Sequence, residues 1–202
     1  MRQPYRYFVL FKPWGYLSQF TREEPHHRTL ADLYDFPKDV YPVGRLDRDS
    51  EGLLLLTNDK ALNHRLLHPH HRHRRTYWAQ VEGAPSDEAL HALRSGVDIR
   101  IGKKWHRTLP AEVHWLQQAP ALPPREKPIC PRPGRPLHWL QLTLVEGKNR
   151  QVRRMCARVG LPVLRLVRSA IEGLQLGDMQ VGQVCEWERE PLYELLFGTA
   201  KI

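Results

Sequence analysis

The sequence has little cysteine and no long apolar run. Its three cysteines, Cys130, Cys156 and Cys185, are odd in number and widely separated, which fits neither a disulfide framework nor a cysteine metal site. Reduced thiols are the default in the cytoplasm, where we expect the protein. No stretch is long and apolar enough to cross a bilayer. The short apolar segment near the N-terminus breaks at Lys12-Pro13, as a strand would and a signal peptide would not, so we expect no membrane partner.

Several common cofactor-binding and catalytic motifs are also missing. The chain has no phosphate-binding glycine fingerprint, no Gly-x-Ser-x-Gly and no Cys-x-x-Cys. An RNA methyltransferase would need a cofactor-binding glycine loop, so the sequence disfavours that class of enzyme.

Acidic residues are outnumbered by basic ones. The 202 residues include 31 Lys+Arg against 22 Asp+Glu, with a formal net charge of +9. This excess favours a polyanionic partner, nucleic acid first and an acidic membrane second. The alternative is that the charge only aids solubility. A hydrophobic fraction of 41% and a charged fraction of 26% are typical of a globular protein.

Hydrophobic periodicity predicts strands and helices that mix without a regular βαβ order, which indicates an α+β fold with a mixed or antiparallel sheet. Strands are expected at residues 5–11, 53–56, 76–82, 97–101, 111–117 and 140–144 and within 163–187. Helices are expected after Thr29, Asp59, Pro85 and Lys148 and at 191–197. Seven prolines within residues 120–136 predict a long exposed loop.

Residues 43–59, VGRLDRDSEGLLLLTND, join a charged loop to a bare apolar run. Four leucines at 53–56 are about right for a buried strand. A charged loop that leads into the core suits a catalytic loop held by a rigid element, and it equally suits a charged surface turn. Its spaced acids resemble the start of a calcium loop. The later positions of that template are leucines here, so we expect no metal.

Asp47 is the best placed acid of this loop. It follows an apolar residue close to the inferred core and is flanked by Arg45 and Arg48. A carboxylate in a desolvated pocket, kept ionised by a partner, can act as nucleophile or base. Asp49 and Glu51 are interpreted as structural.

The helix after Lys148 carries charge of one sign. No acid occurs among residues 148–158, and like charges on a short helix repel one another. The energetic cost of this repulsion is offset if RNA phosphates neutralise the charges, and arginine is suited to bidentate contact with phosphate. The alternative is a solvated helix face. Arg153 lies next to the apolar stripe of the helix, near the boundary between core and solvent.

A segment rich in histidine and arginine precedes the expected strand at 76–82. Five of the 11 histidines fall within residues 64–73, but no Cys or acid there completes a metal site. The interleaved Arg72, Arg74 and Arg75 favour RNA phosphates or plain solvation. Tyr77 is either a core residue or a platform for an unstacked base.

The other aromatic residues favour packing over recognition. Among these are Trp14, Trp105 and Trp139.

Three ordered motifs resemble those of ribosomal pseudouridine synthases of the small-subunit type. Residues 44–47 with Ser50 and 52–59 resemble the catalytic motif. KPWG at 12–15 resembles the N-terminal motif, and EGKNRQVRRM at 146–155 the C-terminal one. Residues 164–168 and 173–182 match the stretch that follows. The resemblance covers nearly the whole chain, from about residue 7 to 187.

The resemblance implies an enzyme of rRNA processing and ribosome biogenesis that isomerises one uridine of large-subunit (23S) ribosomal RNA to pseudouridine. It implies a mixed, mainly antiparallel sheet bent around a central catalytic cleft, with flanking helices. We expect a single catalytic domain over residues 1–202, or two subdomains around the cleft, without the S4 RNA-binding domain that related proteins often carry. No cofactor is implied, and a monomer is expected.

The motif positions also assign site residues. Asp47 corresponds to the catalytic aspartate that acts on a flipped-out uridine, and Arg153 to the basic residue that pairs with it. Tyr77 corresponds to the tyrosine that stacks on the base and supports the catalytic acid or base, and Leu166 to an apolar residue of the pocket. The residues expected to bind RNA are Arg45, Arg48, Arg72, Arg74, Arg75, Lys148, Arg150 and Arg154. The alternative is a non-catalytic rRNA-binding or ribosome assembly factor on the same fold, for which Asp47 would be dispensable.

Overall fold

The computed structural model describes residues 4–198. In chain order, its strands and helices are β1 (Tyr7–Lys12), β2 (Tyr41–Pro42), β3 (Glu51–Thr57), α1 (Lys60–Leu67), β4 (Arg75–Glu82), α2 (Asp87–Ser95), β5 (Asp98–Ile101), β6 (Lys104–Arg107), β7 (Glu112–Leu116), β8 (Leu137–Leu144), α3 (Gln151–Arg158), β9 (Val163–Ile171), β10 (Leu174–Gln175), β11 (Val184–Trp187) and α4 (Arg189–Phe197). Short 3-10 turns occur at Leu30–Asp32 and Pro69–His71.

The chain divides into two compact units. The first unit contains the described residues up to His73 and from Arg168 onward, and the second contains Arg74–Val167. The boundary falls within β9, so the last part of that strand belongs to the first unit. No helix of the described residues is long and apolar enough to span a membrane.

In the first unit, β1 lies between β11 and β3, and both of its pairings are antiparallel. Every residue of β1 and of β3 is buried. A strand covered on both faces needs an almost unbroken apolar sequence, and the runs YFVLF and LLLL supply it. Helix α1 follows β3 directly. Asp59 caps it by accepting hydrogen bonds from the N–H groups of Ala61 and Leu62 at 3.0 and 3.1 Å.

In the second unit, β8 pairs antiparallel with β4 on one side and β7 on the other. One apolar cluster joins the inward residues of β4 and β8 to α2 and α3, including Ala79, Leu140, Leu93 and Met155. The stripe at Val152, Met155 and Cys156 forms the buried face of α3, as its i, i+3, i+4 spacing predicts. Strands β5 and β6 form a separate hairpin.

The predicted α+β fold with mainly antiparallel pairing is confirmed by these strand pairs and by the four helices within residues 4–198. The helix expected after Thr29 is only a 3-10 turn, in which Asp32 accepts a hydrogen bond from the Thr29 N–H. Strand β6 was missed, because its sequence KWHR is largely exposed and lacks an apolar period. Residues 117–136 contain no helix or strand, as their proline content predicts.

Candidate active site

The loop that carries Asp47 is held at its backbone on both sides of the carboxylate. The Ser18 hydroxyl accepts a hydrogen bond from the Leu46 N–H at 3.0 Å and donates one to the Leu46 carbonyl at 2.8 Å. The Gly15 N–H donates to the Arg48 carbonyl at 2.8 Å, and the Ser50 N–H donates to the Asp47 carbonyl at 3.0 Å. The sequence predicts either a catalytic loop held by a rigid element or a charged surface turn here, and this anchoring agrees with the first.

The backbone conformation at Gly15 favours glycine. Its φ of 85° lies in the left-handed region, where a side chain is strained, and an added Cβ would also displace the Arg28 guanidinium, 2.7 Å away. The KPWG motif therefore contributes a turn whose backbone reaches the Asp47 loop.

A set of buried charged side chains belongs to the same unit. Lys12 is fully buried, Glu51 is 1% exposed and Arg168 is 3% exposed. Burial lowers the pKa of the Lys12 ammonium to about 7, and the charges of Glu51, Asp49 and Asp47 oppose that shift. The charge of Asp47 is thus one of three acidic charges that oppose the loss of the proton from the buried Lys12 side chain.

The sequence did not indicate that Lys12 and Arg168 are buried. The sequence predicts that the N-terminal strand breaks at Lys12-Pro13, whereas Lys12 is the last, buried residue of β1. The Lys12 Nζ donates a hydrogen bond to the Pro13 carbonyl at 2.8 Å. Arg168 is in a matched motif, and its Nε donates to the Leu53 carbonyl of β3 at 2.7 Å. The interpretation of Glu51 as structural agrees with its burial.

Arg45 and Arg48, on either side of Asp47, are exposed. Their side chains therefore face solvent, where RNA phosphates could reach them, while Asp47 itself is half-buried.

Tyr77, Leu166 and Arg153 all lie in the second unit. Tyr77 is half-buried on β4 and packs against the apolar cluster to which Leu166 belongs. Arg153 is half-buried on α3, and its Nη1 donates to the Val163 carbonyl of β9 at 3.0 Å. These three residues therefore belong to the same compact unit. Since Asp47 belongs to the first unit, its pairing with Arg153 stays a prediction.

The other predicted RNA contacts differ in their surroundings. Lys148 and Arg150 are exposed at the start of α3. Arg154 donates to the Asn149 side-chain oxygen at 3.0 Å and also to the Arg100 carbonyl. Arg74 is ion-paired with Glu112 on β7.

The remaining basic residues of the histidine-rich segment are Arg72 and Arg75. Arg72 is exposed in a left-handed conformation, with a φ of 48°, and Arg75 is half-buried.

The histidine-rich segment borders a cavity of about 340 Å³ in the first unit, lined by residues that include Arg65, His71 and Phe197. None of the predicted catalytic residues lines it. His73 Nδ1 lies 2.7 Å from the Glu172 carboxylate. Within residues 4–198, no cluster of three or more His, Cys, Asp or Glu side chains could hold a metal ion.

Comparison with known proteins identifies the family. A model of the RNA pseudouridylate synthase family matches residues 6–158, most of the 202-residue chain. The chain belongs to the RNA pseudouridylate synthase family. The synthase is therefore an isomerase, and the family resemblance expected from the three motifs is confirmed.

Named relatives cover most of this synthase. It is 56% identical over 164 residues to ribosomal large subunit pseudouridine synthase E of Xanthomonas axonopodis pv. citri (strain 306). The aligned region covers 81% of this chain and 84% of the relative. The protein of that name from Vibrio parahaemolyticus serotype O3:K6 (strain RIMD 2210633) is 48% identical over 179 residues, covering 88% of this chain and 72% of the relative.

A solved structure supports the same fold. A crystal structure of a pseudouridylate synthase superimposes with a TM-score of 0.77 at 26% identity, over 96% of this synthase and 75% of that chain. The α+β architecture described above is therefore that of a pseudouridylate synthase.

Proposed function

We propose that the chain converts a specific uridine of large-subunit (23S) ribosomal RNA to pseudouridine, with Asp47 as the catalytic carboxylate. The observation that carries the assignment of Asp47 is the anchoring of its loop by Ser18 and Gly15. The names of the relatives from Xanthomonas and Vibrio support the choice of RNA.

The reaction breaks the bond between N1 and C1′ of the uridine, rotates the uracil and joins C5 to C1′. The nucleotide keeps its composition, so the isomerisation needs no redox partner or group donor. A paired base cannot rotate within a duplex. The enzyme must extrude it, at a cost of a few kcal/mol. Basic side chains offset this cost by contacting phosphates. We assign that task to Arg45, Arg48, Lys148 and Arg150 among the predicted RNA contacts.

The carboxylate has to be ionised when it reacts. It can attack C1′, attack the base or remove the C2′ proton, and each route begins from the anion. A cation near a desolvated carboxylate stabilises its charged form. We assign this role to Arg153, with Tyr77 stacking on the extruded base and Leu166 lining its pocket. The protein acts as a cytoplasmic monomer in this proposal.

The experiment follows the hydrogen at C5, which is lost when C5 becomes bonded to C1′. Large-subunit rRNA transcript labelled with tritium at C5 is incubated with the wild-type protein, with Asp47→Asn and with Asp35→Asn. Asp35 is an exposed acid outside the loop and serves as the matched control. Wild type and Asp35→Asn should release tritium, and Asp47→Asn should release none. Substantial release by Asp47→Asn would overturn the assignment.

Mapping of pseudouridines in rRNA from a strain that lacks the gene identifies the substrate position. The expected result is loss of modification at one uridine of the large-subunit RNA, restored by the wild-type gene and not by Asp47→Asn. Loss at a position in another RNA would contradict the proposed substrate.

A further inference from the structure

The β5–β6 hairpin presents an unusually exposed tryptophan. Trp105 on β6 is 65% exposed, more than any other large apolar side chain among the described residues. The sequence predicts that Trp105 packs, and this prediction is wrong. By contrast, Trp139 is only 9% exposed. An indole with so large an exposed fraction is a candidate contact site for a binding partner.

The hairpin that carries Trp105 is firmly attached to the second unit. Ile99 of β5 is 2% exposed and belongs to the apolar cluster that contains the buried face of α3. Ile101 packs against the same cluster. On β6, His106 Nε2 lies 3.0 Å from the Glu146 carboxylate, which also accepts the Leu109 N–H at 2.8 Å. Trp105 therefore projects from an anchored strand and not from a loose loop tip.

Arginines surround the exposed indole. The strand register places Arg100 directly opposite Trp105, so their side chains share the outer face of the hairpin. The Arg158 guanidinium carbon, at the end of α3, lies 5.9 Å from the centroid of the Trp105 ring. Arg154 donates to the Arg100 carbonyl, which ties the middle of α3 to the hairpin.

The charge around Trp105 is strongly positive. Asp98 is the acid on the outer face of β5, and it lies 3.5 Å from the guanidinium of Arg107. The cations of the hairpin and of α3 from Arg154 to Arg158 are Arg100, Lys103, Lys104, Arg107, Arg154 and Arg158. Protein interfaces are depleted of charge at their cores. A lone exposed indole among cations instead matches surfaces that stack nucleic-acid bases and bind phosphates.

We propose that Trp105, Arg100 and Arg158, here called the hairpin platform, form a second RNA contact that stacks an unpaired base of the substrate other than the reacting uridine. The guanidinium groups bind the phosphates beside that base. The proposal rests on the proposed function in one respect, namely that the substrate is an RNA. Base stacking on an aromatic ring tolerates any base, so the hairpin platform adds affinity for an unpaired segment and does not choose the uridine.

Binding measurements test the hairpin platform without any turnover. The dissociation constant for a large-subunit rRNA transcript is measured by filter binding for wild type, Trp105→Ala, Trp105→Phe and Trp115→Ala. Trp115 is a 36% exposed tryptophan on β7 of the same unit and provides the matched control. Trp105→Ala should weaken binding by about five- to 160-fold, the range for loss of one base–aromatic stack. Trp105→Phe should keep most of the affinity, and Trp115→Ala should bind as wild type does.

The salt dependence separates stacking from phosphate contact. Arg158→Gln should lower the slope of log affinity against log salt by about one, because it removes one phosphate contact. Trp105→Ala should leave that slope unchanged. Photocrosslinking of the wild-type protein to a transcript containing 5-iodouridine tests the contact directly. It uses no variant protein, so a folding defect cannot affect the result. The expected crosslinked peptide contains Trp105.

Two results would overturn the hairpin platform. One is wild-type affinity in Trp105→Ala with no crosslink at Trp105. The other is self-association of the wild type that Trp105→Ala abolishes, with RNA affinity unchanged, since the surface would then be a protein interface. Failure of the proposed function is distinguishable, because it appears as absence of tritium release from the wild-type protein. Neither binding measurement depends on that release.

Discussion

The hydroxyl of Ser18 satisfies both backbone polar groups of Leu46, the residue before Asp47, with hydrogen bonds of 3.0 and 2.8 Å. Ser18 is only 5% exposed and lies 28 positions earlier in the chain. A buried hydroxyl that binds one residue through both its N–H and its carbonyl fixes the local backbone. We therefore expect Ser18 to act as a positioning residue for the Asp47 carboxylate.

Ser18→Ala should lower kcat by about ten- to a hundredfold, because small displacements of a reacting group cost rates of this order. It should also cost about 1–3 kcal/mol of unfolding free energy through the unsatisfied backbone groups. Tritium release at saturating RNA and urea unfolding measure the two effects.

Ser86→Ala provides the control for Ser18→Ala. Ser86 caps α2 by accepting the Ala89 N–H at 3.2 Å, so its loss should cost about 1 kcal/mol with no change in kcat. If Ser18→Ala lost stability while keeping its kcat within twofold, its role would be structural only.

Arg153→Ala should reduce kcat more than RNA affinity, since we assign Arg153 to the catalytic carboxylate. Arg150→Ala, an exposed change at the start of the same helix, should weaken RNA binding with kcat unaffected at saturation. Filter binding and single-turnover tritium release separate the two variants. Loss of affinity alone in Arg153→Ala would make Arg153 a phosphate contact.

Lys12 should make the free energy of unfolding depend on pH. Burial lowers the pKa of its ammonium from 10.5 to about 7 in the folded protein. Between these two values the unfolded chain holds a proton that the folded chain does not. Stability therefore rises with pH in this window, by up to about 1.4 kcal/mol per pH unit. Urea unfolding at pH 7, 8 and 9 should show this slope in the wild type.

Lys12→Met should lose that part of the slope, whereas Lys60→Met, an exposed change at the start of α1, should retain it. Equal slopes in Lys12→Met and the wild type would show that Lys12 does not titrate in this range.

Asp59 should stabilise the first unit through its charge. Its Oδ2 accepts hydrogen bonds from the Tyr7 and Tyr193 hydroxyls at 2.9 and 2.7 Å. Burial raises the pKa of Asp59, but these bonds and those from the α1 backbone outweigh it, so the pKa lies below its usual 3.8. The resulting stabilisation is fully present above the unfolded-state pKa and is lost as pH falls through the folded-state pKa.

Asp59→Asn keeps an N-cap oxygen but removes the charge. It should cost about 1–3 kcal/mol at pH 7. The difference in free energy of unfolding between Asp59→Asn and the wild type, measured with urea, should decrease as the pH is lowered. A difference that stays constant down to pH 3 would mean that packing, and not the charge, stabilises the site.

Local pattern was sufficient for most of the secondary structure. Strand β3 and helices α1, α2 and α3 follow from apolar period and capping residues, which depend on neighbours a few positions apart. Strand β6 did not follow, because it is a strand only through its pairing with β5. Trp105 was misjudged for the same reason, since its exposure depends on which face of that hairpin packs on α3.

By itself, the sequence determined the family and the basic net charge, and it supplied the prediction that Asp47 is the catalytic carboxylate, because these depend on residue types and their order. Only the tertiary structure decided that Lys12 and Arg168 are buried charges and that Ser18 anchors the Asp47 loop. Burial and long-range hydrogen bonds join residues far apart in the chain, and no local pattern records them. The exposed Trp105 among arginines likewise became visible only once β5 and β6 were paired.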